Sequence, residues 1–577
     1  MSESTPKSRG KEAGWNSRLG MILAVAGGAV GFGNFLRFPG LAAQYGGGAF
    51  MIAYFCSLLL MGIPLAWVEW AVGRRGGALG GHSPSSIFML VTRSRWWKYV
   101  GLLGVAAPLA ISFYYLFLES WTLGYAWKMV CGEFAGVTDF KGTFGEFVGV
   151  AENGAAFDVS RSSFLWCFLV AFVLNYWLMY RGIGKGIEWF CKWSLPVLLL
   201  TSLVIMVRVL TLGTPDAAHP DRSVEQGLGY MWNPNKVVLE SRNEEGDWKI
   251  LQMLPQNDSA VLQVKEAQVA ASGGAERIRE ITIGEGLMNP SLWLAAAGQI
   301  FWSLSVCFGS VCTYASYVKK KDDIALSALT ANSANEVVEV GIAGMMIVPA
   351  AVAFLGVAAA AASSTFGLGF EVLPQVFAEM PGGRVFGTLF FGLLFLAAVT
   401  SSISLIQPAI AFLEEFWLLR RRQSIVLVGF MAFLGTLAVS WFSKGLVGLD
   451  TMDFWVGTLG LYILAFCFIV IFCFKMELKE GYAELQLGAD IDLPFWVMYV
   501  AKWVSPMILL AIFLSWLYEN VFGTSCPQIE NLLNGEPGAY VPLGWAFLVL
   551  VFMGMVAWSS RRFHSKVKSL QSRLPIS

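Results

Sequence analysis

The sequence predicts an all-α protein that crosses a membrane many times. Of its 577 residues, 56% are hydrophobic, and the mean hydropathy is +0.60. The apolar residues form repeated runs, each long enough to cross a bilayer, which takes about 20 helical residues. Two of these runs are interrupted at their middle by glycine and polar residues. Hydropathy, run length and the interruptions together indicate a polytopic helical membrane protein.

Twelve apolar runs are predicted to span the membrane. Lysine and arginine collect after every even-numbered run and at both termini. Since positive residues are retained on the cytoplasmic side, both termini are expected in the cytoplasm and the multi-pass chain in the plasma (inner) membrane. The formal net charge is zero, so nucleic acid is not expected as a partner. The apolar runs make membrane lipid an expected partner. The predicted spans are residues 17–39, 48–72, 97–130, 163–181, 188–212, 291–318, 326–360, 383–417, 425–442, 451–475, 493–519 and 541–560.

The first interruption lies in the first predicted span. The sequence Gly-Gly-Ala-Val-Gly-Phe-Gly-Asn occupies positions 27–34, where a continuous helix would carry leucine or valine. Unwound backbone is tolerated at this depth only where it is packed in protein or lines a site, and its free carbonyls suit a small cation. The alternative is a continuous helix in which Gly27 and Gly31 form a packing face.

The second interruption favours a break over a packing face. In the run at residues 292–317, Gln299, Ser303, Ser305 and the sequence Phe-Gly-Ser at 308–310 interrupt the apolar pattern. Two interrupted spans in corresponding halves of a polytopic chain point to the binding site of a secondary transporter. All three histidines lie outside the predicted spans, which argues against a haem or histidine-bound metal. A transporter without an organic cofactor, and not an enzyme, is predicted.

Several later spans carry polar side chains within the apolar pattern. Glu69 is expected to accept hydrogen bonds from the freed amides of the first broken helix. Asp453 has a possible partner in Arg37 across an outer gate, where a weak ion pair can open and close. Three further groups of residues each lie on one helical face and are candidates for a binding site. Packing in the core, or hydroxyls that bond to their own helix backbone, would equally account for such residues. These residues are Ile111, Tyr115 and Glu119; Asn332, Asn335 and Glu339; and Ala397, Thr400, Ser401 and Leu405.

The long polar loop at residues 213–289 is predicted to be an extracellular insertion. Residues 237–239 and 248–251 have the pattern of two short strands around a glycine-containing turn at 243–247. Nothing in the loop indicates chemistry.

The assembled segments resemble the neurotransmitter:sodium symporter family, and specifically its bacterial, LeuT-like amino-acid branch. The resemblance runs over essentially all twelve predicted spans and leaves out most of the loop at 213–289. It implies a LeuT-type fold with twelve transmembrane helices, a 5+5 inverted repeat and broken helices 1 and 6. The segments that carry it are residues 18–20, 33–39, 46–50, 119–124, 298–301, 313–317 and 400–402.

The resemblance divides the chain into six parts and implies the roles of individual residues. The parts are the N-terminal segment 1–16, the first inverted repeat 17–212, the extracellular insertion 213–289, the second inverted repeat 290–477, helices 11 and 12 at 478–560, and the tail 561–577. The implied substrate residues are Gly28, Ala29, Phe32, Gly33, Ile111, Tyr115, Trp302, Ser303, Ser305, Phe308, Ser401 and Leu405. The implied sodium ligands are Ala29, Asn34, Ser303 and Asn335 at one site and Gly27, Val30, Ala397, Thr400 and Ser401 at the other. The implied outer gate is Arg37 with Asp453, under a roof of Tyr115 and Trp302.

Two positions refine the implied function. Relatives that transport amines place an aspartate near the first break, whereas this chain has only glycine and apolar residues at 27–33, so an amino acid's own carboxylate is expected there. Glu339 lies where a carboxylate replaces chloride in chloride-independent relatives, near Tyr54, Gln299 and Ser303.

The resemblance therefore implies sodium-coupled import of a neutral amino acid with two sodium ions and without chloride. Trp302 and Ile111 depart from the smaller residues common at their positions and favour a small or medium apolar side chain. Glu12 replaces the arginine of the cytoplasmic gate, which leaves Lys11 or Arg9 as partners for Glu415. A non-transporting amino-acid receptor on the same fold is the alternative, and a homodimer is a possible assembly.

Overall fold

The chain folds into a bundle of long apolar helices. The computed structural model describes residues 14–159, 163–216, 219, 222–242, 248–254, 259–523 and 526–571. Among these residues, nine helices are long and apolar enough to cross a membrane, and the pair Arg18–Ala29 and Gly33–Gln44, bent by 48°, makes a tenth. The nine are Gly48–Ala78, Trp97–Cys131, Ile183–Leu210, Ile324–Leu355, Gly383–Phe416, Arg421–Trp441, Lys444–Lys475, Trp496–Asn520 and Pro537–Ser559.

Two shorter helical units occupy the remaining predicted spans. Phe164–Tyr180 lies at the fourth, and Pro290–Ser303 with Ser310–Ala315 lies at the sixth. With these two included, the units are called spans 1 to 12 in chain order. Length and composition establish at most ten spans in the described part of the chain, so the total of twelve stays a prediction. Loop helices are Pro84–Thr92, Phe140–Val148, Ala155–Phe157, Val224–Trp232, Ser259–Ala271, Ile283–Leu287, Val357–Ala362, Thr365–Gly367, Leu373–Glu379, Leu478–Gln486 and Pro527–Leu533.

Span 1 is enclosed by other helices. It packs against spans 5, 7 and 8, and span 8 packs along span 3. The residues from Ala24 to Ala29 are all buried. The interruption predicted at residues 27–34 therefore lies inside protein, where irregular backbone is tolerated.

Short π-helical segments interrupt several spans. One extra residue per turn locally rotates the side chains that follow, and such segments are frequent at functional sites. Three of them carry predicted site residues: Gly33–Arg37 holds Asn34, Val337–Gly344 holds Glu339, and Asp453–Gly460 begins with a gate residue. The other segments are Leu58–Gly62, Ile183–Ile187, Leu368–Val372, Ile471–Lys475 and Val500–Val504.

The insertion contains a three-stranded antiparallel sheet. The strands are β1 (Lys236–Arg242), β2 (Trp248–Leu254) and β3 (Glu276–Ile281), in the order β2-β1-β3. Val238 pairs with Met253 on one side and Arg279 on the other. The sequence prediction missed β3, because four of its six residues are charged. The predicted turn at 243–247 lies outside the described residues.

One lysine fastens this sheet to the outer end of span 1. The ammonium of Lys236 donates to the carbonyl of Tyr230 at 2.6 Å and to the carbonyl of Gly46. The hydroxyl of Tyr230 donates to the carbonyl of Ala43 at 2.7 Å. Lys236 is 4% exposed, and burial lowers the pKa of its ammonium to about 7. The insertion therefore contacts the half of span 1 that follows the break.

Candidate functional site

The first helix break exposes backbone oxygens beside span 8. The helix ends at Ala29, and Val30 is extended with φ −71° and ψ 104°. The hydroxyl of Ser401 lies 3.3 Å from the carbonyl oxygen of Val30 and 3.4 Å from that of Gly27. These hydrogen bonds are at the long limit, so both carbonyls are weakly satisfied.

Gly31 is required for close approach of two hydroxyls. A Cβ at this position would lie 2.6 Å from the hydroxyl oxygen of Tyr115 and 2.7 Å from Oγ of Ser401. The backbone N–H of Gly31 donates to Oδ1 of Asn34 at 2.7 Å. Spans 3 and 8 can therefore touch the break only because position 31 has no side chain.

The second helix break is held by Glu69 of span 2. Its carboxylate accepts hydrogen bonds from the backbone N–H groups of Cys307, of Gly309 at 3.1 Å and of Cys312 at 3.0 Å. Ser305 and Cys307 have positive φ angles of 49° and 62°, which side-chain-bearing residues rarely adopt. Glu69 was expected to accept hydrogen bonds from the first broken helix. That expectation is wrong, because its carboxylate accepts from the second broken helix instead.

A cavity of about 220 Å³ lies between the two breaks. All twelve residues predicted to touch substrate line it, together with the gate residues Arg37 and Asp453. The structure brings the predicted set together, while the role of each residue stays a prediction. Further lining residues, which the sequence prediction missed, are Gly31, Tyr114, Leu118, Thr365, Phe366, Leu449, Asp450 and Thr458.

The second predicted sodium site is a group of uncharged oxygens between spans 1 and 8. The carbonyls of Gly27 and Val30 lie on one side, with Ser401 opposite them. Thr400 donates its hydroxyl to the carbonyl of Ala397 at 2.8 Å, and a Cβ on Gly27 would lie 3.3 Å from Cβ of Thr400. Carbonyl and hydroxyl oxygens are the ligands that hard cations prefer.

The first predicted sodium site is a connected group of amides and hydroxyls. The amide of Asn34 donates to Oδ1 of Asn335 at 2.9 Å and lies 3.4 Å from Oγ of Ser303. Asn335 donates to Ser303 at 2.7 Å. Ala29 lines the adjoining cavity. The group joins spans 1, 6 and 7.

Glu339 adds a carboxylate to this group. Its Oε2 accepts from Asn34 at 2.9 Å, from Asn335 at 3.3 Å and from the hydroxyl of Ser303. Its Oε1 accepts from Gln299 at 2.6 Å. The expected neighbours Gln299 and Ser303 are thus hydrogen-bonded to it. A fully buried acidic side chain therefore bonds to three predicted sodium ligands.

Tyr54 was expected near Glu339, but its hydroxyl donates to a second acid, Glu336. Tyr54 donates to Oε2 of Glu336 at 2.7 Å, and Asn335 lies 3.4 Å from Oε1. Sequence reasoning did not single out Glu336, because its position among the polar residues of span 7 gives no sign that it points to Tyr54.

The predicted outer gate is not closed by an ion pair. Within the described residues, no nitrogen of Arg37 lies within 4.0 Å of a carboxylate oxygen of Asp453. The guanidinium lies 5.7 Å from the ring centre of Trp302, and its Nη1 is buried without a hydrogen-bond partner. Asp453 instead accepts from the hydroxyl of Tyr114 at 2.9 Å. Both gate residues line the cavity, but each has another neighbour.

The opposite gate residue, Glu415, is held by hydroxyl and amide groups. Its carboxylate accepts from the hydroxyls of Ser83 at 2.5 Å and Ser86 at 2.6 Å, and from the backbone N–H groups of His82 at 2.5 Å and Ser83 at 3.1 Å. The partners expected for it at positions 9 and 11 lie outside the described residues. The serines were not predicted, because the loop after span 2 carries no pattern that indicates a carboxylate site.

A model of the sodium:neurotransmitter symporter family matches residues 12–137 and 274–564, which is more than half of the chain. The chain belongs to this family. It is therefore a multi-pass membrane transport protein that uses sodium, and not an enzyme. The match leaves out residues 138–273, which contain spans 4 and 5 and most of the insertion.

Individual relatives match over most of their length. An uncharacterized sodium-dependent transporter of Haemophilus influenzae is 27% identical over 87% of this chain and 98% of its own. The sodium-dependent neutral amino acid transporter B(0)AT3 of Rattus norvegicus is 24% identical over 97% of both chains. The fold is similar to that in the crystal structure of MhsT in complex with L-phenylalanine, with a TM-score of 0.67. The two sequences are 25% identical, and the match covers 88% of this chain and all of that one. The symporter has the LeuT-type fold.

Proposed function

We propose that this symporter imports a neutral amino acid with a small or medium-sized apolar side chain, together with two sodium ions and without chloride. The observation that carries the proposal is the cavity between the two helix breaks, with a group of oxygen ligands at each predicted sodium site. The printed names of the relatives support the substrate class, since B(0)AT3 is a neutral amino acid transporter and MhsT was crystallised with L-phenylalanine.

The lining of the cavity supports an amino acid of this kind. Ile111, Phe308 and Leu405 supply apolar surface for a side chain, while Ser305 and Ser401 supply hydroxyls. An amino acid buried there keeps its charged groups solvated only if backbone and hydroxyl groups replace water. The two broken helices supply both kinds of group.

The distribution of charge supports a substrate that carries its own carboxylate. In the described residues of the two breaks, no acidic side chain lines the cavity. The substrate carboxylate would complete the shell of the sodium ion held by Ala29, Asn34, Ser303 and Asn335. Because the two ligands then stabilise each other, each raises the affinity of the other by the same factor.

An inward sodium gradient then drives uptake. Each net positive charge moved inward gains about 2.3 kcal/mol per 100 mV of membrane potential. Access to the site alternates as spans 1, 2, 6 and 7 rock against the other spans. Arg37 and Asp453 both line the cavity, and in this proposal they pair when the outer side closes.

The environment of Glu339 supports transport without chloride. Its carboxylate lies against Asn34, Ser303, Gln299 and Asn335, so a chloride ion at the same place would meet a like charge. In this proposal Glu339 supplies the negative charge beside the first sodium ion and takes up a proton on the return step.

Uptake by reconstituted protein tests the proposal. Proteoliposomes with an inward sodium gradient are expected to accumulate labelled neutral apolar amino acids, and replacing sodium by choline is expected to abolish accumulation. Replacing chloride by gluconate should leave the rate unchanged. Accumulation that is unaffected by choline would reject sodium coupling, and sodium-dependent binding without accumulation would identify the non-transporting receptor instead.

A pair of threonine variants tests the second sodium site. Thr400→Ala removes a predicted sodium ligand, and the half-saturating sodium concentration should rise by about 5- to 10-fold, as expected for the loss of one neutral interaction of about 1 kcal/mol. Thr388→Ala is the matched control, because Thr388 lies in the same helix and its hydroxyl donates to the carbonyl of Arg384 at 2.7 Å. Equal sodium activation in both variants would place the ion elsewhere.

A further inference from the structure

A second cavity, of about 480 Å³, opens on the face predicted to be cytoplasmic. It lies between the end of span 2, the turn after helix Pro84–Thr92 and the loop after span 10. It shares no lining residue with the cavity between the helix breaks. Four cations line this basic rim cavity: Arg75, Arg93, Arg95 and Lys475.

Three of these cations have no carboxylate partner in the described part of the chain. No acidic oxygen lies within 4.0 Å of Arg93, Arg95 or Lys475 there, although Glu477 and Glu480 also line the cavity. Arg75 reaches Glu480 and Glu484 only at 3.9 Å, with 39% of its side chain exposed, and such pairs are weak. The cavity therefore has an excess of positive charge.

Three other basic residues near this face are paired within the protein. Arg74 is buried against Glu484 at 2.7 Å, Lys192 lies 2.7 Å from Glu188, and Arg18 lies 2.8 Å from Asp490. The protein thus neutralises these three side chains but leaves Arg93, Arg95 and Lys475 without a carboxylate partner among the described residues. An anion from outside the chain is the complementary ligand.

The surroundings of the cavity indicate a lipid. Trp96 follows Arg95 and is 78% exposed, and Phe474 precedes Lys475 and is 53% exposed. Exposed aromatic side chains at the ends of spans lie at the interface between lipid and water. Met89, Leu90 and Val91 also line the cavity. A ligand with a charged head and apolar chains fits this arrangement better than a free ion.

We propose that the basic rim cavity binds the phosphate headgroup of an anionic phospholipid of the inner leaflet. The headgroup phosphate lies among Arg93, Arg95 and Lys475, and its acyl chains follow the apolar surface beside Phe474. Basic pockets at the cytoplasmic ends of spans bind anionic headgroups in this way. The site is separate from the transport cavity and does not depend on the identity of the transported substrate.

Lipid binding to the purified full chain tests the proposal. Delipidated protein in a neutral detergent is titrated with short-chain phosphatidylglycerol and, separately, with phosphatidylcholine, with bound lipid counted by native mass spectrometry. The wild type is expected to bind phosphatidylglycerol at least about 10-fold more tightly. Lys475→Gln should weaken phosphatidylglycerol binding by about 5-fold, the effect of one cation near an anionic lipid, and Arg93→Gln with Arg95→Gln by about 25-fold.

Lys479→Gln is the matched control. Lys479 lies four residues after Lys475, is exposed and does not line the cavity, so its removal changes net charge equally but should leave binding unchanged. All four side chains are exposed, and unfolding temperatures in phosphatidylcholine verify that the variants remain folded.

Two results would overturn the proposal. Equal phosphatidylglycerol binding by the wild type and the Arg93→Gln, Arg95→Gln double variant would show that the cavity holds no lipid headgroup. Displacement of phosphatidylglycerol by millimolar inorganic phosphate or glycerol 3-phosphate, with the same dependence on Lys475, would identify a soluble phosphate compound as the ligand.

Discussion

The break in span 1 and the break in span 6 expose different halves of the peptide group. At the first, the carbonyls of Gly27 and Val30 have only the hydroxyl of Ser401 at 3.3 to 3.4 Å. At the second, three N–H groups donate to the carboxylate of Glu69. The first break therefore keeps oxygens available for a cation, whereas the second is satisfied within the protein. The first break is arranged to bind a cation, and the second is held in a fixed backbone conformation by Glu69.

The largest effect is expected from removing the acceptor at the second break. Glu69→Gln replaces one carboxylate oxygen by an amide that cannot accept, so at least one N–H among Cys307, Gly309 and Cys312 is left without a partner. Each buried donor without an acceptor costs about 1–3 kcal/mol, and hydrogen bonds to a charged acceptor are stronger than those to a neutral one. We expect a lower unfolding temperature together with loss of uptake.

Glu119→Gln is the matched control for this variant. Glu119 is also a fully buried acid, but its Oε2 accepts from Asn175 at 2.7 Å and its Oε1 has no hydrogen-bond partner. Its amide should fold with nearly unchanged stability. Equal unfolding temperatures for the two variants would mean that Glu69 does not hold the break.

The first break should respond through binding and less through stability. Gly31→Ala places a methyl group 2.6 Å from the hydroxyl oxygen of Tyr115 and 2.7 Å from that of Ser401, so both must move away from the site. Overpacking of this size costs about 1–3 kcal/mol, or about 5- to 150-fold in affinity. Sodium and substrate titrations of uptake should both shift by this factor.

Gly298→Ala controls for adding a methyl group to a broken span. A Cβ at Gly298 meets no atom within 4 Å, and alanine is the better helix former. This variant should transport normally. If both glycine variants transport alike, close approach to Gly31 is not what the site requires.

The two breaks also differ in how far sequence reasoning could predict them. The glycine-rich segment at 27–34 indicated the first break directly, and the resemblance to a family supplied the twelve predicted substrate residues, all of which line the cavity. Glu69 was assigned to the wrong break, because a buried acid on a helix carries no information about which of two neighbouring breaks it faces. Likewise, nothing in the sequence indicated that Asp453 accepts a hydrogen bond from Tyr114 or that Glu415 accepts one from Ser83. The partner of each acid depends on distances between helices, which the local spacing of residues in the sequence does not encode.

Removing the side chain that joins the two breaks should have a smaller effect on uptake, and the size of that effect should depend on chloride. Glu339 binds Asn34 of span 1 and Ser303 of span 6. Glu339→Ser removes the negative charge and leaves donors such as Gln299 facing the vacated space. Uptake should fall by about 10-fold in gluconate and recover when chloride is supplied, since a chloride ion can occupy the position of the carboxylate.

Glu119→Ser is the control for this rescue, because it removes a buried acid whose carboxylate accepts from Asn175 of span 4. Chloride should not change its rate. A Glu339→Ser variant that is insensitive to chloride would contradict the assignment of Glu339 as the charge that replaces chloride.

The smallest effect concerns the insertion, whose Lys236 and Tyr230 bond to carbonyls at the outer end of span 1. Burial lowers the pKa of Lys236 to about 7, whereas a detached, solvated lysine has a pKa of about 10.4. Between these values the detached state binds more protons, so attachment of β1 becomes more favourable as pH rises from 7 to 10, by up to about 1.4 kcal/mol per pH unit. Below pH 7 both states are protonated and this dependence ends.

Amide hydrogen exchange of β1, corrected for the intrinsic effect of pH, measures this attachment. Protection should increase from pH 7 to pH 9 in the wild type. In Lys236→Met the pH dependence should disappear, and protection should be lower at every pH because the carbonyls of Gly46 and Tyr230 lose their donor. Because β1 also pairs with β3, exchange of β3 amides reports whether the sheet itself is intact. Protection of β1 that falls as pH rises would mean that the charged ammonium, held by the two carbonyls, is what fastens the insertion to span 1.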